Sequence, residues 1–217
     1  MTVDVVTLRR WRVDDAPLLT EMIVSSLDHL RPWMPWVQYE PLSLDARVEK
    51  IQSWISAWDA AEDFTFAIDD GEGGLLGVCG LHRRGEPGSL EIGYWVRSGR
   101  TGQGIATAAV RGLVQVAFSI DGVTFLEIHH DAANIASGRV PEKAGFTRTT
   151  ERPDVPAAPD EIGIDVTWRL HRDLRAVIAE PTVEPYVLPD RSVSGDGPTE
   201  LWLTSTWDEI GDDLRGH

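Results

Sequence analysis

The stretch Ser98-Gly99-Arg100-Thr101-Gly102-Gln103-Gly104-Ile105-Ala106-Thr107-Ala108-Ala109-Val110 decides how this chain is read. Its three glycines let a backbone turn tightly and approach a ligand with no Cβ in the way. The alanine-rich run that follows predicts a helix from Gly102 to about Ser119. A helix start presents unpaired N–H groups and the positive end of a dipole, which together make an anion site. Arg97 and Arg100 add charge beside it, so a phosphate-bearing ligand is the expected occupant; a glycine turn with no ligand is the competing reading. A Walker A loop would need Lys and Ser/Thr after its last glycine, where Ile105 and Ala106 stand, and the dinucleotide fingerprint G-x-G-x-x-G is reversed here to G-x-x-G-x-G.

Outward from this loop the pattern alternates. On its N-terminal side, Phe64–Ile68, Leu75–Leu81 and Ser89–Arg97 predict three strands, joined by the turn sequences DDGEGG and GEPG, which are rich in residues that tolerate positive φ. On its C-terminal side come a strand (Val123–His130), a short helix (Asn134–Ala144), and strands at Phe146–Arg152 and Ile162–His171. Earlier in the chain, Val3–Arg10 predicts a strand. Asp14-Asp15 opens an amphipathic segment reaching His29, with acids in the first turn where the dipole favours them. A Trp/Pro-rich connection follows, and Ser43 opens a helix with Ala46, Val48, Ile51, Trp54, Ile55 and Trp58 near helical spacing. Hairpins followed by strand–helix alternation predict an α/β fold: a mixed, largely antiparallel central sheet, splayed in the middle, with helices on both faces. Residues 1–174 read as one domain. Residues 175–217 read as a Pro/acid-rich linker and C-terminal extension, in which LWLTSTWDEIGDD forms one extra strand or a docked segment.

Composition narrows the function classes. The chain has 217 residues, 42% of them hydrophobic, with nine Trp, which is enough for a packed core and excludes disorder of the whole chain. A formal charge of -15 repels polyphosphate backbones, which argues against nucleic-acid binding and suits a cationic partner, although acidity also serves solubility alone. No apolar run approaches the ~20 residues needed to span a bilayer, no export signal opens the chain, and the single cysteine forms no internal disulfide; a cytoplasmic protein is expected.

Several blocks in the same order, LRRWRVDDA, HLRPWMPW, LEIGYWVRS, GQGIATAAV and NIASGRVPEKAGF, resemble the GNAT acyl-CoA N-acyltransferases, and in particular their RimJ/RimL branch of ribosomal-protein N-terminal acetyltransferases. GRTGQG matches that family's [Q/R]-x-x-G-x-[G/A] loop except at Gly99, where the family carries Gln or Arg. The resemblance spans roughly residues 7–172. It implies acetyl-CoA as acyl donor, with no metal. Backbone amides of Arg100, Thr101, Gly102, Gln103, Gly104, Ile105, Ala106 and Thr107 would hold the pyrophosphate of coenzyme A, and the strand end Trp95-Val96-Arg97 would pair with its pantetheine amides, which can extend a sheet edge. Asn134 and Ser137 join this cofactor-binding set, and Arg139 and Lys143 either meet coenzyme A phosphates or are simply solvated. The acceptor is an amine, either a peptide N-terminus or a small molecule such as an antibiotic, polyamine or amino acid. A non-catalytic coenzyme A-binding module is the alternative of a different class, and a homodimer is compatible with the sequence.

Acyl transfer to an amine requires that the ammonium lose a proton, that the oxyanion be stabilised and that the thiolate be neutralised. Glu91 is the candidate base. It alternates with Gly93 and Trp95, opposite Leu90, Ile92, Tyr94 and Val96, and a carboxylate in mid-sheet under covering helices calls for work or a partner. Ser137 is the candidate acid, one turn after the helix start at Asn134, where by the resemblance a serine replaces the tyrosine of other acetyltransferases near the sulfur. His129, His130 and Glu127 are alternatives for proton transfer, with a structural reading for the histidines. Cys79 reads as a small buried hydrophobe. Pro141 cannot donate to the Ser137 carbonyl and should leave it free. Trp33, Trp36 and Tyr39, in the loop where the resemblance places the acceptor, are either its aromatic walls or core.

Overall fold

The two turns that the sequence announces close as expected. In DDGEGG, the Asp70 carboxylate accepts from the amides of Glu72 (2.9 Å) and Gly74 (2.8 Å), fixing the first hairpin. The computed structural model describes residues 6–173. The start of the Val3 strand, the domain end at residue 174 and the whole C-terminal extension lie outside the described residues.

Seven strands form one sheet: β1 (Thr7–Arg10), β2 (Phe64–Asp69), β3 (Leu75–His82), β4 (Ser89–Val96), β5 (Phe125–Asp131), β6 (Thr147–Pro153) and β7 (Ile164–His171), in the order β1-β2-β3-β4-β5-β7-β6. Every neighbouring pair is antiparallel except β4 and β5. The expected mixed, largely antiparallel architecture is the one the chain adopts. Among the described residues five α-helices complete it: α1 (Ala16–Val24), α2 (Leu27–Leu30), α3 (Leu44–Asp59), α4 (Ile105–Ser119) and α5 (Ile135–Lys143).

Local chemistry explains the helix ends. The Ser43 side chain caps α3 by accepting from Ala46 N–H at 3.2 Å, and Asn134 Oδ1 caps α5 by accepting from Ser137 N–H at 3.1 Å. Helix α4 starts at Ile105 rather than at Gly102, because Gly102 (φ 71°) and Gly104 (φ 85°) take left-handed conformations that a helix cannot continue. The segment expected to run unbroken from Asp14 to His29 splits into α1 and α2 at Ser25-Ser26. That break is a docking point: the buried Ser26 hydroxyl accepts from Ser98 N–H (3.1 Å), and Ser98 Oγ donates to the Ser25 carbonyl (3.0 Å). The glycine loop is thus tied to the α1–α2 corner.

Two cores lie on opposite faces of the sheet. On one, Ile105, Ala109, Leu113 and Ala117 of α4 pack with Phe66, Cys79, Leu90, Ile92, Leu126 and Ile128. Each fully buried aliphatic side chain of this kind contributes roughly 1.5–3 kcal/mol. Gly112 lets α4 lie close to β1, where a Cβ would meet Leu8 Cδ1 at 3.0 Å. On the other face, Leu19, Met22, Ile51 and Trp54 pack with Ala67, Val78 and Trp95. Burial pushes the Cys79 thiol up, as suits an inert core residue.

Strands β4 and β5 pair only from Ser89–Phe125 to Glu91–Glu127, although β4 continues to Val96 and β5 to Asp131. Beyond Glu91 and Glu127 they diverge, and this gap is the expected splay. On the α1–α3 side, the helices pack over β2 and β3, whereas Glu127, His129, Asp165, Thr167 and Arg169 of β5 and β7 contact one another. The premise that a covering helix would bury Glu91 therefore fails. Its side chain keeps 23% exposure and pairs with Arg84 at 3.0 Å.

Candidate active site

Three structural units meet at the divergence of β4 and β5. The first is the loop from Arg97 to Gly104. Among the described residues, no carbonyl accepts from the backbone N–H groups of Thr101 to Thr107; the first helical bond of α4 is Ala108 N–H to Gly104 O at 2.9 Å. A Cβ at Gly99, Gly102 or Gly104 would meet nothing within 4 Å, so the loop is open at each of its glycines. Arg100 Nε is buried without a protein acceptor. Unspent amides, a helix N-terminus and a guanidinium make a cradle that fits a diphosphate.

The Arg97 side chain is less available than its position suggests. It reaches the Leu75 carbonyl (3.3 Å) and Glu21 (3.5 Å). Its backbone N–H is also spent, on Leu76 O of β3 (2.9 Å). Backbone groups alternate sides along a strand, so Trp95, like Arg97, turns its peptide groups toward β3, while Ile92, Tyr94 and Val96 turn theirs into the gap. Of the strand-end residues expected to pair with an extended ligand, Val96 keeps that geometry. Trp95 and Arg97 do not, and Tyr94 takes their place.

The second unit is Ser137 with Tyr94. Tyr94 Oη donates to the Ser137 carbonyl (3.0 Å) and lies 3.1 Å from Ser137 Oγ. With the phenolic proton on the carbonyl, the serine hydroxyl is left to donate to Tyr94 Oη. The carbonyl that Pro141 frees is therefore not vacant, since a tyrosine from β4 reaches across to it. Burial drives the Tyr94 hydroxyl well above its ordinary pKa, only partly offset by Ser137, which keeps it a donor. Asn134 acts on Ser137 through the helix cap. Arg139 and Lys143 lie exposed on α5. Tyr94 was missed by sequence reasoning as a site residue; the freed carbonyl at Pro141 was the signal that some donor had to arrive there.

The third unit is the charged face of β4, β5 and β7. Glu91 stands in register with Glu127, which Arg169 holds at 2.8 Å, and His129 Nδ1 faces Asp165 at 3.1 Å. Burial lowers the His129 pKa, but the bond to Asp165 and the charges of Glu91, Asp165 and Glu127 outweigh it and raise the imidazole above its ordinary value. His130 is structural: Nδ1 donates to the Asp131 carbonyl (2.7 Å) and Nε2 accepts from Trp168 Nε1 (3.0 Å), which fixes its tautomer.

Aromatic residues rim this face unevenly. Trp36 is only 6% exposed and packs on Trp95 with centroids 5.9 Å apart, so it belongs to the core and not to an acceptor wall. Its indole joins the buried cluster that Leu19, Met22, Ile51 and Trp54 form with Trp95. Trp33 and Tyr39 remain half-exposed. The β6–β7 connection meets their loop where Asp160 N–H donates to Pro32 O at 3.1 Å. That connection is pinned by Asp131, whose carboxylate accepts from Ile162, Gly163 and Ile164.

Unspent loop amides, a strand edge left unpaired beyond Glu91 and ionisable groups on either face thus meet at one gap. The family described as "Acetyltransferase (GNAT) domain" matches residues 6–147. The chain belongs to this family. It is a GNAT N-acetyltransferase of RimJ/RimL-like character. The Bacillus subtilis (strain 168) protein named "Putative ribosomal N-acetyltransferase YdaF" is 32% identical over 145 residues, which cover 65% of this chain and 77% of YdaF. A crystal structure described as "Probable acetyltransferase" shares 27% identity with a TM-score of 0.71, covering 77% of this chain and 93% of its own. The fold is also that of RimL, a ribosomal L7/L12 α-N-protein acetyltransferase solved with coenzyme A, at 19% identity and a TM-score of 0.71 over 80% of this chain and 97% of RimL. Among the described residues no helix is long and apolar enough to cross a membrane, and no group of three or more His, Cys, Asp or Glu is placed to hold a metal ion.

Proposed function

We propose that the protein transfers an acetyl group from acetyl-CoA to a primary amine, namely the N-terminus of a protein or peptide, by direct attack within a ternary complex. The observation that carries this reading is the gap between β4 and β5, with unspent loop amides at one end and Glu91 and Ser137 on its two faces. The names of YdaF and RimL support the choice of a protein N-terminus. The negative charge of the chain suits a cationic acceptor, and the activity is cytoplasmic on this reading.

The residues that would hold coenzyme A are the amides of Thr101–Thr107, the Arg100 guanidinium, and the backbone of Tyr94 and Val96. When bound, acetyl-CoA supplies a thioester carbonyl open to attack by an amine. Glu91, paired with Arg84 at the edge of the gap, draws the acceptor's ammonium to the charged face, where it is deprotonated. Ser137, placed beside Tyr94 and held by the Asn134 cap, turns its one hydroxyl proton from Tyr94 Oη toward the sulfur as the thiolate charge develops. Holding the two reactants in one gap supplies much of the rate by proximity. Trp33 and Tyr39 border the acceptor's approach.

Thiol release from acetyl-CoA in the presence of ribosomal-protein N-terminal peptides and of small amines tests the proposal. Turnover on a peptide, reduced at least about 100-fold in Glu91→Gln and Ser137→Ala, is expected. Coenzyme A binding with no turnover on any amine would identify a non-catalytic module instead, and turnover confined to small amines would replace the acceptor class.

A further inference from the structure

We propose that His129, held by Asp165, is the group that takes up the proton lost by the acceptor's ammonium. This rests on the acetyl-transfer reading and adds to it the proton's destination. His129 is the first side chain of β5 beyond the last β4–β5 pair on the face that carries Glu91. The residue that follows Glu91 on the same face of β4 is Gly93, which has no side chain. The imidazole therefore borders the opening of the gap, and it is 27% exposed.

The charged groups around His129 are sorted by their partners. Arg84, ahead of β4, is paired with Glu91; Arg169 of β7 with Glu127 and Glu86; Arg152 of β6 with Asp165. Each of these arginines is thus committed to a carboxylate, and the histidines on this face are His129 and, opposite Glu91 on β3, the buried His82, whose Nδ1 is held by Asp63; of the two, His129 is the one that reaches solvent. Asp165 accepts at Nδ1, with Thr167 Oγ1 close by at 3.5 Å, so the Nδ1-protonated tautomer is favoured and the Nε2 lone pair is the accepting site. Among the described residues nothing bonds Nε2.

The step balances simply. One ammonium N–H bond breaks, an Nε2–H bond forms, the nitrogen lone pair is released for attack, and the imidazolium charge is held by Asp165. The chemistry favours an α-amine. A peptide N-terminus ordinarily has a pKa of about 7.7–8.0 and a lysine side chain about 10.4, and proton transfer is most effective when the acceptor's pKa lies near that of the donor and the working pH. The raised pKa of His129 moves it in that direction, while Glu91, committed to Arg84, is suited to attracting the cation.

Two measurements test this, one without acyl donor. In the free protein, NMR titration of the His129 ring should give a midpoint above about 6.5 that falls in Asp165→Asn; a midpoint below that value and insensitive to Asp165 overturns the proposal. In turnover of a peptide acceptor, His129→Gln should lower kcat at least about 10-fold, remove the low-pH limb of the profile and leave the KM for acetyl-CoA unchanged, and imidazole should restore activity to His129→Ala. If the wild type turns over the peptide but His129→Gln keeps the limb while Glu91→Gln loses it, the His129 assignment falls and acetyl transfer stands. If the wild type acts on no amine, the acetyl-transfer reading itself falls, and the titration alone then decides whether the His129–Asp165 pair behaves as described.

Discussion

Tyr94→Phe isolates the contact that joins the two diverging halves of the site. The change deletes one oxygen that bonds both the Ser137 carbonyl (3.0 Å) and the Ser137 hydroxyl (3.1 Å). An ordinary hydrogen bond contributes about 1 kcal/mol net, and a buried polar group left unsatisfied costs about 1–3 kcal/mol. The carbonyl is the sensitive partner, because Pro141 cannot supply the helical N–H that would otherwise replace the phenol. The expected loss is therefore about 1–3 kcal/mol. It should shrink in a Pro141→Ala background, where residue 141 regains an N–H for the same carbonyl. Urea unfolding followed by tryptophan fluorescence on the four members of this cycle measures the coupling, expected to be about 1 kcal/mol and opposed in sign to the Tyr94→Phe cost. Additivity within about 0.5 kcal/mol would refute the idea that Tyr94 serves the carbonyl freed by the proline. In the same variants, kcat should fall with loss of the phenol even where Pro141→Ala restores stability, since the Ser137 hydroxyl loses its orienting partner in both backgrounds.

Two further outcomes follow from the geometry. The His129 pKa is raised in the fold, so its contribution to stability is fully present below the unfolded value of about 6.5 and is lost as pH rises through the folded value; Asp165 is lowered, so its contribution is present above about 3.9 and lost as pH falls. His129→Gln should accordingly destabilise the protein more at pH 5.5 than at pH 8.5 in urea titrations, and equal losses would show that the pair is not ionised in the fold. Gly104→Ala meets no atom within 4 Å but is held at φ 85°, so it should cost about 1–2 kcal/mol of strain and weaken coenzyme A binding in calorimetry; unchanged affinity would show that the α4 amides are not the cradle.

What could be read from the chain alone is local. The glycine loop and the helix behind it, the caps at Ser43 and Asn134, the hairpin turn at Asp70 and the break in helical bonding at Pro141 each depend on residues within one or two turns of one another, where steric rules and side-chain–backbone bonds act directly. Family resemblance extended that reading to a ligand and a reaction. What required the tertiary structure depends on contacts between distant segments. The parity of β4 turns Tyr94 and Val96, not Trp95 and Arg97, toward the gap, and it was set by pairing with β3. Trp36 is core because Trp95 lies beneath it. Glu91 keeps part of its surface in solvent and meets Arg84, and His129 faces Asp165 because β5 and β7 pair in one particular register. A sequence displays which side chains are capable of proton chemistry, but the pairing energy of strands far apart in the chain chooses which of them share a face, and that choice is what makes the site.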